Sequence, residues 1–191
     1  MADNAIERKV GGTRKLEMRD EAAYGLDAIA PSFPYAREHR FQPECRPSSC
    51  HGLICSSGPE LPASVLLCSA GGTSGVHERS LCVLEDRCFV AVGPYIVSLS
   101  LPGLEVLWAT EVDSATCFGI HPTVDGQALI SHGELEVARV ALSGEILWAA
   151  GGADILSEGL SITETEVRVE DFNHDRYVFD VETGSVISST A

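Results

Sequence analysis

Residues 135–148 read LEVARVALSGEILW. The same pattern stands forty residues earlier, at 95–108, as YIVSLSLPGLEVLW, and forty residues later, at 175–188, as DRYVFDVETGSVIS. Each copy is a strand-like run, a tight turn carrying glycine (Pro102-Gly103, Ser143-Gly144, Thr183-Gly184) and a short apolar run. Trp108 and Trp148 hold one register position, which Ser188 takes in the third copy. A period of about 40 residues built from short strands marks a four-stranded blade. A single blade cannot bury both faces of its sheet, whereas stacked neighbours can. The turn residues Gly103, Gly144 and Gly184 are expected to supply backbone angles that other residues resist. Trp108 and Trp148 are expected to pack between units.

Working outward, short apolar runs punctuated by Gly, Asp and Asn turns continue from Ala63 to the end of the sequence. In RYVFDV, Tyr177, Phe179 and Val181 alternate with Arg176, Val178 and Asp180, and Val167 and Val169 alternate with Arg168 and Glu170. Period 2 with one apolar face is the signature of a half-buried antiparallel strand. The expected fold is therefore all-β: antiparallel β-meander repeats over 63–191, forming a partial or small propeller, with a β-sandwich as the alternative. A fourth, degenerate unit is expected at 63–90. Residues 1–62 contain Pro31, Pro34, Pro43, Pro47 and Pro59 and read as a mostly irregular arm. One short helix is expected there, at MRDEAAYGLDAI (18–29), where Ala22, Leu26 and Ile29 fall at helical spacing before Pro31.

The strand, Gly-bearing turn and closing tryptophan resemble the PQQ-like (quinoprotein-type) β-propeller repeat, whose consensus is close to V-x-A-L-D-x-x-T-G-x-x-x-W. The residues that carry the resemblance are VARVALSGEILW (137–148) and YVFDVETGSVIS (177–188), with a looser copy at 96–108. The resemblance spans roughly residues 88–191 and implies blade architecture. Such repeats occur in quinone-dependent dehydrogenases and in outer-membrane assembly scaffolds, so the fold does not carry a function with it. Three clear hairpins are too few for a quinone-type ring, and no cofactor is expected.

The formal net charge is −15, with 45% hydrophobic and 21% charged residues. Residues 1–46 hold eight basic and eight acidic side chains, which leaves five basic and twenty acidic for the rest. An acidic body repels phosphate backbones and offers no basic patch to anionic lipid, so neither nucleic acid nor membrane is an expected partner. MADNAIERKVGG has no apolar h-region, and the chain is expected to stay in the cytoplasm. Seven cysteines (45, 50, 55, 68, 82, 88 and 117) without a leader point to reduced thiols, several in apolar strings where cysteine acts as a small hydrophobe.

Several clusters are candidate sites. Asp171, Asn173 and Asp175 alternate as in a calcium loop, with Glu182 further on, but the sixth position is Arg176 where glycine is required. The preferred reading is a polar turn between two strands. Cys45, Cys50, His51 and Cys55 are zinc-type donors at a looser spacing than a zinc knuckle. Gly71-Gly72-Thr73-Ser74-Gly75 lacks the lysine of a phosphate loop and reads as a flexible connection. Of the six histidines, His121 and His132 bracket one expected hairpin beside Asp125 and can meet across it as an acid/base pair; ordinary turn histidines are the simpler reading. No nucleophile motif accompanies them. The expectation is a non-enzymatic interaction or scaffold module with a protein partner and a possible homo-oligomeric state. The alternative is a small-molecule binder or hydrolase with its site at the blade loops.

Overall fold

The structure is a computed structural model, and it describes residues 5–24, 29–59 and 61–190. Among the described residues seventeen strands form four sheets, and there is no helix. Sheet I joins β1 (Ala5–Val10), β2 (Arg14–Asp20), β4 (Ser49–Ser56), β5 (Ala63–Ser69) and β3 (Arg37–Arg40), in that spatial order. Sheets II, III and IV are four-stranded meanders. They comprise β6–β9 (Leu81–Leu84, Arg87–Val92, Tyr95–Ser100, Val106–Glu111), β10–β13 (Cys117–Pro122, Ala128–Gly133, Glu136–Ala141, Ile146–Gly151) and β14–β17 (Leu160–Ile162, Glu166–Glu170, Arg176–Asp180, Val186–Thr190). Val106, Ile146 and Val186 each open the last strand of their sheet, forty residues apart.

The sheets stack in sequence order because each inner sheet is apolar on both faces. Leu16, Met18, Leu53, Val65 and Leu67 of sheet I meet Cys88, Val90, Val97 and Leu99 of sheet II. The other face of sheet II presents Phe89, Ala91 and Ile96 to Ile120, Leu129, Ala138 and Val140 of sheet III. Ile130, Val137 and Trp148 then meet Val167, Val169, Tyr177 and Phe179 of sheet IV. Among the described residues no apolar cluster joins sheet I to sheet IV, so the four sheets make an open arc, a partial propeller.

The tryptophan position is a clasp between successive sheets. Trp108 lies opposite Ser98, Trp148 opposite Arg139 and Ser188 opposite Val178, each at a register shift in the hairpin. The Trp108 indole N–H donates to the Leu142 carbonyl (3.0 Å), and that of Trp148 to the Val181 carbonyl (3.0 Å), both in the hairpin of the next sheet. The rings lie over the turn glycines. A Cβ at Gly144 would sit 2.8 Å from Trp108, and one at Gly184 2.6 Å from Trp148, with φ at +95° and +70°. Glycine is thus needed twice at each turn, for the angle and for the space. Gly103 departs from this pattern: the left-handed residue of the first hairpin is Leu104, φ 56°, after a cis Leu101-Pro102 bond. No ring covers Gly103; Arg37 from β3 donates to its carbonyl and pairs with Glu105 instead.

The first sixty residues are not an irregular arm. They contribute four strands to sheet I, and β4 pairs with β5 across the 62/63 junction. The helix expected at 18–29 is absent from its described part: Met18, Arg19 and Asp20 end β2 and residues 22–24 turn, while residues 25–28 lie outside the described residues. The unit expected at 63–90 is split, with β5 in sheet I and β6 and β7 in sheet II. The physical reason is sheet I's order. Its outer strand β3 pairs in parallel with β5, so the chain crosses over from β2 before returning to β4 and follows no meander repeat.

Candidate functional site

The first strands of sheets II, III and IV are edge strands, and their starts converge on a cleft of about 370 Å3. His77 and Arg79 precede β6; Phe118, Gly119 and His121 come from β10, His132 from β11, and Ser157, Gly159 and Leu160 lead into β14. The backbone fixes this convergence, because the Ile120 N–H donates to the Arg79 carbonyl (2.8 Å) and the Leu156 N–H to that of Glu134 (2.8 Å). Buried Asp113 ties the neighbouring loops by accepting from four backbone N–H groups, those of Ala115, Thr116, Leu135 and Glu136.

His121 and His132 do meet, with ring centroids 6.3 Å apart. They are not direct register partners: His121 faces Ile130 and His132 faces Gly119. His132 Nε2 lies 2.7 Å from the Leu156 carbonyl, which can only accept, so Nε2 carries the proton and Nδ1 is free to accept. Burial lowers the pKa of His132 below the usual imidazole range. Burial, with Arg79 and the other two histidines nearby, lowers that of His121 to about 4. Both rings are therefore neutral at pH 7. His121 is nine-tenths buried and has no hydrogen-bond partner among the described residues. Asp125 is not part of this group; it accepts from the Thr123 hydroxyl (2.6 Å) and the Gln127 N–H (3.0 Å) in the β10–β11 turn.

Arg79 gives the cleft its charge. The other four arginines after residue 46 each have a carboxylate partner: Arg87 with Asp86, Arg139 with Glu182, Arg168 with Glu166 and Arg176 with Glu170. Among the described residues Arg79 has none, and its side chain is exposed. Sequence reading singled out the histidines but passed over Arg79, whose only signal was its place among so few cations in an acidic stretch.

The remaining candidates are dispersed. Asp171 is fully buried; one carboxylate oxygen accepts from the N–H groups of Asn173 (2.9 Å) and Asp175 (3.0 Å), and the other from the Tyr177 hydroxyl (3.0 Å). The Asn173 amide donates to Asp154 (2.8 Å), and Glu182 is turned to Arg139. This is the bonding of a closed polar turn. Cys50 and Cys55 lie in different apolar clusters, Cys45 is exposed, and both His51 nitrogens face carbonyls, of Ala91 (3.0 Å) and Ser74 (3.1 Å). Among the described residues no group of three or more His, Cys, Asp or Glu side chains is placed to hold a metal ion. The 71–75 stretch ties sheet I to the loop between β9 and β10: the Gly72 N–H donates to the Ala115 carbonyl (3.0 Å), and its carbonyl accepts from Ser49 (3.2 Å).

No protein-family model and no curated protein sequence matches the chain. Solved structures do resemble it. The computationally designed Ika8 protein matches with a TM-score of 0.52 and 10% identity over 73% of this chain and 46% of its own. BamB from Moraxella catarrhalis, a propeller of the PQQ-like type, matches with a TM-score of 0.50 and 15% identity over 73% of this chain and 44% of its own. The RRP9 WD40 repeats align at 19% identity and a TM-score of 0.49, over 60% of this chain and 39% of theirs. The chain thus spans less than half the length of these matched structures. The feature shared with BamB is the propeller-type repeat fold.

Proposed function

We propose that the chain is a non-enzymatic protein-interaction module of PQQ-like blades, that the convergence of β6, β10 and β14 is its docking surface, and that the partner presents a carboxylate to Arg79. The observation that carries this reading is the unpaired guanidinium of Arg79 in a cleft of an otherwise acidic body. A guanidinium presents a planar fork of donors that fits a carboxylate. The neighbouring rings of His121 and His132 are neutral, so they recognise by hydrogen bonding without adding charge. A net charge of −15 disfavours a polyphosphate partner, which leaves a protein segment as the better fit.

The test places a photo-crosslinking amino acid at position 77, on the rim of the cleft, in cells. A discrete adduct is expected that disappears with Arg79→Glu and survives Arg168→Glu, a charge reversal on the far face of sheet IV. No adduct, or one insensitive to Arg79→Glu, would contradict the proposal. The unpartnered ring of His121 favours a second reading, a small carboxylic acid held in the same cleft. In that case a panel of small acids would raise the melting temperature of the wild type but not of Arg79→Glu.

A further inference from the structure

Cys50 and Cys68 are direct register partners across the antiparallel β4–β5 pair, flanked by Ser49 opposite Ser69 and His51 opposite Leu67. Partners in such a ladder have Cα atoms about 4.5–5.5 Å apart, inside the roughly 4.4–6.8 Å that a disulfide spans. The sulfur atoms lie 2.8 Å apart and both side chains are buried. They occupy the outer face of sheet I, away from the core shared with sheet II, in a small cluster with Leu66, Tyr24 and Tyr35. Of the other cysteines, Cys55, Cys88 and Cys117 sit in the inter-sheet cores, Cys82 packs at the edge of one, and Cys45 is exposed.

We propose that Cys50 and Cys68 form a thiol redox pair that closes to a cross-strand disulfide in sheet I, with a low-molecular-weight disulfide as oxidant. The Cys50 thiolate attacks one sulfur of the small disulfide and expels a small thiolate, forming a mixed disulfide. The Cys68 thiolate then attacks the Cys50 sulfur and expels the second small thiolate. Two S–H bonds are lost and one S–S bond forms. The two electrons reduce the oxidant, and the two protons end on the two released small thiols. Cys50 enters first because it is the less enclosed of the two, 3% exposed against 0% for Cys68. Cys68 is the resolving group because it is the direct register partner of Cys50, with its sulfur 2.8 Å away; the Cys50 contact and burial raise its thiol pKa, so its proton leaves only as it attacks. The bridge would tie β4 to β5, the strand that also carries β3 and its Arg37 link to sheet II.

The test is made on the full chain carrying Cys45→Ser, which removes the exposed thiol. Protein is equilibrated with oxidised glutathione, alkylated with a maleimide in denaturant and digested with chymotrypsin. The expected result is a protein two hydrogens lighter before alkylation, with Cys50- and Cys68-containing peptides joined and reducible by dithiothreitol. The melting temperature should rise by roughly 5–10 °C, the order expected for closing an 18-residue span. Cys50→Ser and Cys68→Ser should each abolish both the joined peptide and the rise. Maleimide on both Cys50 and Cys68 after oxidation, a bridge between any other pair, or glutathione retained as a stable adduct would each overturn the proposal. The peptide map of the Cys45→Ser chain decides the matter even if Cys50→Ser or Cys68→Ser fails to fold.

Discussion

At the residue scale, the chemistry of the cleft is set by what surrounds each imidazole. His121 has no partner to hold a proton on its ring, while burial and the positive Arg79 work against protonation, so its pKa falls from the ordinary 6.5 to about 4. Burial lowers His132 and His51 in the same direction. In the unfolded chain these rings titrate near their ordinary value, so between pH 6.5 and 4 the unfolded state binds more protons than the folded one. Stability is then full above about pH 6.5 and declines as the solution is acidified toward pH 4. The expected loss attributable to His121 is on the order of 2 kcal/mol. Chemical denaturation of the wild type and His121→Phe between pH 7 and 4.5 checks this. The variant should show the shallower decline, and parallel curves would contradict the assignment.

At the element scale, the last strands of sheets II and III each hold the next sheet's hairpin through a tryptophan. Trp148 is buried against Phe179, ring centroids 6.4 Å apart, and its N–H is bonded to Val181. Trp148→Ala removes a large side chain from the interface between sheets III and IV and is expected to cost about 3–5 kcal/mol. Ser188 holds the same position in sheet IV and is exposed. Ser188→Ala should therefore stay within about 0.5 kcal/mol of the wild type. Equal costs for the two, measured by denaturant titration, would contradict the equivalence drawn between the sheets.

The same elements show what was legible in the sequence. Sheets II to IV were readable because local hairpins build them, and a hairpin writes its alternation and its turn into adjacent residues. Sheet I was not, for three separate reasons. β4, SCHGLICS, is buried on both faces, so it shows no alternation, and its serine, glycine and cysteines resemble a loop. β3, REHR, is a charged outer strand joined by parallel pairing to β5, and a crossover of that kind leaves no local signature. β1 and β2 do alternate, with Ile6, Val10, Leu16 and Met18 turned inward, but the charged residues between them mask the pattern. The cleft was legible only in part. His121 and His132 were readable as neighbours of one hairpin, whereas their meeting with Arg79 depends on sheet II stacking against sheet III, which no short sequence window contains.

At the scale of the whole molecule, the arc ends in polar surfaces. The outer face of sheet IV carries Glu166, Arg168, Glu170, Arg176 and Asp180, opposite the side that packs on sheet III. The outer face of sheet I carries Glu7, Lys9, Lys15, Glu17 and Arg19 on β1 and β2. Beside them, Tyr35 and Tyr24 cover Cys50 and Cys68, held by the buried Glu21 and by Glu38. The first strands β6, β10 and β14 are edge strands of their sheets.

That arrangement depends on successive sheets being joined ring to turn, and nuclear magnetic resonance reads the joint directly. Nuclear Overhauser effects are expected from the Trp108 ring to the Gly144 Hα protons and from the Trp148 ring to those of Gly184, with all four Hα resonances shifted upfield by the indole above them. Random-coil Hα shifts at Gly144 and Gly184, with no effect from either ring, would contradict the stacked-sheet account.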